Sequence, residues 1–91
     1  MADIFVKITD LNYRVGQPDP LEWNATVIAD SGENLDTGGY ITIGALTITS
    51  SINSAIAQNA RQKFVDQFGF GLDPGDRLFS FGVDGSYDTT V

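Results

Sequence analysis

Residues 50–70 constrain this chain more than any other stretch, because they alone sustain a helical period. Apolar residues fall at Ile52, Ala55, Ile56, Ala60, Phe64 and Phe68, with Val65 beside them. That spacing forms one stripe along a helix. Gln58, Asn59, Arg61, Gln62, Asp66 and Gln67 lie mostly on the other side. Ser50 or Ser51 can cap the first turn, Gly69 is placed to end the last one, and Phe70 can fold back onto it. Arg61 and Lys63 occupy the second half, where the helix dipole favours cations. One helix of this kind must bury its stripe against something, and the remainder of the chain reads as short strands and turns.

The strands follow from period-two alternation. Ile4, Val6 and Ile8 point one way across Ile4–Thr9, and residues 10–15 either continue it after a bend or form a ragged edge. Gly16-Gln17-Pro18-Asp19-Pro20 reads as a surface turn, since two prolines exclude a ladder interior. In Glu22–Asp30, Trp23, Ala25, Val27 and Ala29 share one face and Asn24, Thr26 and Ile28 the other. Trp23 reads as core or rim, with an indole N–H that wants a partner. Asp30–Gly39 holds three acids and three glycines. It lacks the ligand order and closing Glu of a calcium loop, so it reads as a projecting hairpin connection. Tyr40–Thr49 reads as the strongest strand, with the apolar register shifting across Gly44-Ala45 through a bulge, through partial burial of both faces, or through a break into two short strands. Asp73-Pro74-Gly75-Asp76 suits a type II turn. It leads to a last clear strand, Arg77–Val83, whose Phe79, Phe81 and Val83 are the expected partners of the helix stripe. Residues 86–91 add a short further segment or hang free, and Thr89-Thr90-Val91 weakly resembles a peptide captured by its carboxylate.

Together these readings predict one small α+β domain over 1–91. Its sheet, antiparallel or mixed, has about four strands, and one helix packs across one face. Any parallel connection through the helix should be right-handed.

Composition narrows the chemistry. The 91 residues include no Cys and no His. Disulfides, thiol chemistry, imidazole bases and histidine metal ligands are therefore all missing. The formal net charge of −7, with five dispersed basic residues, disfavours nucleic acid and anionic lipid. No glycine-rich loop runs into the helix to cradle phosphate, and no serine sits on a nucleophile elbow. The amino terminus lacks a signal-peptide pattern and no stretch reaches membrane-span length, so synthesis in the cytoplasm is expected. The expected cofactor set is empty and the expected class is non-enzymatic, with an enzyme of unknown class as a minor alternative.

The short chain, its lack of Cys and His, its many Thr, Asn, Asp and Gly residues and its polar loop resemble the small structural proteins of tailed bacteriophage virions. The resemblance is one of composition along the whole chain. It implies a symmetric assembly, incorporation into a virion, and arms at Asp30–Gly39 and the two termini. The expected function is thus a structural or assembly protein forming homo-oligomers or joining other structural proteins. The alternative is an accessory module that binds one protein as a monomer or dimer. The candidate interface is the sheet face that the helix leaves open, with Trp23, Val27, Tyr40, Ile43, Tyr87 and Val91 as its residues.

Overall fold

The computed structural model describes residues 2–14, 17–42, 49–83 and 87–89. Its elements in chain order are β1 (Asp3–Arg14), β2 (Gln17–Ala29), β3 (Asn34–Ile41), α1 (Thr49–Phe68), β4 (Arg77–Phe81) and β5 (Tyr87–Thr89). The strands form one mixed sheet in the order β3-β2-β1-β4-β5. Only β1 and β4 run parallel, from Asp3↔Arg77 to Lys7↔Phe81. The expected α+β architecture, a small mixed sheet with one helix across one face, is what the chain adopts.

The core lies between α1 and the near face of the sheet. Ile4, Val6, Ile8, Leu21, Trp23, Ala25, Val27, Ala29, Ile41 and Leu78 meet Ile52, Ile56, Ala57, Ala60 and Phe64. The bend expected after Thr9 is a register shift. Ile8 pairs with Ala25 and Asp10 with Asn24, so Thr9 is the extra residue. A bulge exchanges the faces, and Leu11, opposite Trp23, joins the inward side.

Several expectations are corrected. The proline segment is not a turn, because β2 starts at Gln17 and carries both Pro18 and Pro20. The prolines lie beside the second register shift, between Asn12↔Glu22 and Arg14↔Gln17. An irregular ladder tolerates their missing N–H groups. Asp30–Gly39 is not a projecting loop. Only Asp30–Glu33 turns, closed by Gly32 N–H to the Ala29 carbonyl at 3.0 Å and Ala29 N–H to the Glu33 carbonyl at 2.8 Å. Gly32 supplies the positive φ of 105°. From Asn34 the chain is β3, which ends at Ile41. Thr49 is already helical, and the proposed bulge at Gly44-Ala45 lies outside the described residues.

β4 faces the opposite way from expectation. Leu78 and Ser80 are buried towards the helix, while Phe79 stacks on Phe5 on the far side. The cause is register: pairing with β1 puts Leu78 beside Ile4 and Ser80 beside Val6, both inward residues. Val83 is 52% exposed, so it does not meet the helix stripe. Trp23 Nε1 is buried with no acceptor among the described residues.

The helix stripe is also rotated from the simple pattern. Phe68 is exposed, whereas Asn53 and Arg61 are buried. Arg61 is drawn in because its Nε donates to the Gly71 carbonyl. Ser50 and Ser51 fall inside the first turn of α1 rather than ahead of it. The other end matches the reading closely. Gly69 has φ +82° and donates its N–H to the Val65 carbonyl at 2.7 Å, an αL cap. Phe70 returns edge-on to Phe64, with ring centroids 5.2 Å apart. In the next turn Asp76 N–H reaches the Asp73 carbonyl at 3.1 Å, with Gly75 at φ +90°.

Gly38 is required by close approach. A Cβ there would lie 2.4 Å from Asn24 Oδ1 and 2.9 Å from the Trp23 carbonyl oxygen. The side chain can turn away but the backbone oxygen cannot. Gly38→Ala should therefore lower stability by about 1–3 kcal/mol, measured by urea unfolding.

Asp76 ties the amino-terminal strand to the turn before β4. Its carboxylate accepts the Ala2 N–H and, at 2.9 Å, the Asp73 N–H. The Ala2 bond chiefly lowers its pKa; burial opposes the shift, and the Asp73 N–H and Arg61 add to it. A carboxyl whose folded pKa is depressed stabilises the fold above its unfolded pKa, about 3.9, and loses that contribution as pH falls through the folded value. Asp76→Asn keeps one acceptor but turns an amide towards the Asp73 N–H. Its melting temperature should be lower at pH 7 and should fall less steeply than that of the unsubstituted chain below about pH 4.

Candidate interaction surface

α1 covers one face of the sheet, and among the described residues no element lies across the other. On that face lie the residues whose neighbours in each strand point into the core. Register aligns three of them into a row: Phe5 pairs with Ile28 on one side and with Phe79 on the other. The Phe5 and Phe79 rings stack 5.1 Å apart with planes 16° from parallel. Ile28 is 41% exposed, and both rings are half-buried. In the next row Phe81 lies beside Lys7, and Lys7 beside Thr26.

Polar groups border this apolar row. Arg77 grips Asp3 through two hydrogen bonds of 2.9 Å, from Nε and an Nη. Its guanidinium carbon also lies 5.4 Å from the Phe79 ring centroid. The Arg77 hydrogen bonds hold the Asp3 carboxyl below its ordinary pKa. On the other side the Thr26 hydroxyl donates to Asp36 Oδ1 at 2.7 Å. A planar, charge-bordered aromatic face suits contact with another surface. Among the described residues no group of three or more Asp or Glu side chains is placed to hold a metal ion.

The sheet also extends unevenly. β4 accompanies β1 only from Asp3 to Lys7, and β3 accompanies β2 only from Leu21 to Ile28. Past Leu21↔Ile41 the β1–β2 ladder runs on to Arg14↔Gln17. The molecule measures 41 Å in its longest dimension and 21 Å in the other two.

The expected interface residues divide. Tyr40 is on the open face and 60% exposed. Trp23 and Val27 are not: both are buried beneath α1. Their face of β2 is the more apolar, so it is the one that the helix covers. Ile43 and Val91 lie outside the described residues, and Tyr87 pairs with Phe81 at the start of β5. The expected arms change as well. Asp30–Gly39 supplies a turn and β3, and Asp3 opens a central strand; residues 90–91 at the other terminus lie outside the described residues. Phe5, Ile28 and Phe79 were not among the candidates; Phe5 and Ile28 alternate with the inward residues of β1 and β2, and Phe79 is turned outward only by its register with Phe5.

No protein-family model, curated protein or solved structure matches this chain. Among the described residues no helix is long and apolar enough to cross a membrane.

The Phe5–Phe79 stack is open to measurement as a pair. A double-mutant cycle with Phe5→Ala and Phe79→Ala, read by urea unfolding, should give a coupling of about 0.5–1.5 kcal/mol.

Proposed function

We propose that this chain is a non-catalytic structural or assembly protein that associates with further copies of itself through its open sheet face and its strand edges. The observation that carries this reading is the row Ile28, Phe5 and Phe79 on the face that α1 does not cover. Sheets bury such faces by packing against another layer. The narrower reading, a subunit of a bacteriophage particle, rests on the resemblance in composition.

Charge sets a condition on such an assembly. Copies of net charge −7 repel one another, and salt screens that repulsion. Light scattering at micromolar concentration should show a defined oligomer, more populated at about 0.5 M than at about 0.05 M salt. Phe79→Glu should shift the population towards monomer while the far-ultraviolet circular dichroism is kept. A chain that stays monomeric at every concentration and salt would overturn the proposal. It would favour an accessory module that offers the same face to a different protein.

A further inference from the structure

Among the described residues β3 is an edge of the sheet, and its pairing with β2 runs unbroken from Leu21↔Ile41 to Ile28↔Asn34. A regular edge strand offers backbone N–H and C=O groups on its outer side as a template for another strand. Folded proteins usually blunt such an edge with proline, lysine, a bulge or short length. The other edge, β5, is only three residues long. β3 has eight residues, neither Pro nor Lys, and no register shift. Asp36 is its single charge, and that carboxylate is turned to the Thr26 hydroxyl.

We infer that β3 pairs antiparallel with β3 of a second copy, about a two-fold axis at Gly38, joining the two five-stranded sheets into one. The inference rests on the assembly reading and names the seam. Self-complementarity of the strand selects the occupant. In an antiparallel pair, directly opposed residues share a face. With the axis at Gly38, Leu35 lies opposite Ile41 of the second copy on the helix side. Asp36 lies opposite Tyr40 of the second copy on the open side. The apolar residues therefore meet each other, a phenol meets a carboxylate, and the two Asp36 groups do not face. The residue on the axis meets its own copy, and there Gly38 has no side chain to collide. An axis one residue earlier, at Thr37, would instead place Leu35 opposite Gly39 and Asp36 opposite Gly38, losing both matches.

The absence of native cysteine makes the seam testable by single substitutions. Chains carrying Asp36→Cys are mixed with chains carrying Tyr40→Cys under mild oxidation. The expected product is the 36–40 cross-linked dimer, in excess over 36–36 and 40–40. Hydrogen exchange on the unsubstituted chain provides a second measurement that does not depend on a variant folding. Outward-facing amides within 34–41 should exchange about tenfold more slowly at the concentration where scattering shows association than at the lowest concentration. If an oligomer forms while exchange in β3 is independent of concentration and 36–40 is not preferred, the seam is overturned and the assembly reading stands on another surface. A chain that is monomeric at all concentrations overturns both.

Discussion

The parallel pairing of β1 with β4 is the contact on which the rest of this fold depends. It joins Asp3–Lys7 to Arg77–Phe81 across most of the chain. Three sets of bonds fasten its open end. Arg77 N–H reaches the Ala2 carbonyl at 2.9 Å, Asp76 receives Ala2 N–H, and Arg77 holds Asp3 with both arms of its guanidinium. On the other flank Asp30 N–H meets the Asp3 carbonyl, and Asp3 N–H meets Asp30 Oδ2. The first strand is thus the centre of the sheet, with Ile4 and Val6 wholly buried. Pairings this distant in sequence are costly to close, so the local β1–β2–β3 meander supplies a surface that β4 can extend.

That pairing also decides what the open face presents. Parallel register places Leu78 and Ser80 under the helix and sends Phe79 and Phe81 to the far side, where Phe79 finds Phe5. A strand read alone would bury its aromatic residues. Here the helix side is already filled by Trp23, Phe64 and the branched residues of β1 and β2. The surplus aromatic surface stays outside, bordered by the Asp3–Arg77 pair. An outward row of this kind is the physical basis for reading the chain as one layer of a larger assembly.

The polar connections show how context overrides local preference. Pro18 and Pro20 signal a break, yet the backbone remains extended through them beside an irregular ladder. Gly38 and Gly39 signal a loop, yet they lie in β3 because a Cβ at Gly38 would collide with β2 and one at Gly39 would press on the Trp23 ring. Arg61 signals solvent, yet the turn after the helix offers it the Gly71 carbonyl. In each case a contact outside the residue's own element or turn decided the outcome.

The sequence by itself determined the elements that local rules govern. These are the helix with its αL cap at Gly69, the two-residue alternation along β1 and β2, the turn at Asp73–Asp76 and the overall α+β class. Periodicity and turn chemistry act over a few residues, so they are legible one segment at a time. Only the tertiary structure decided the strand order, the direction in which β4 faces, the incorporation of residues 34–39 into the sheet and hence the composition of the open face. Those outcomes depend on register between segments, and register shifted by one residue exchanges every inward and outward side chain. Trp23 and Phe79 mark the difference: each belongs to an alternating strand, but which face the helix would cover was settled only when the strands met.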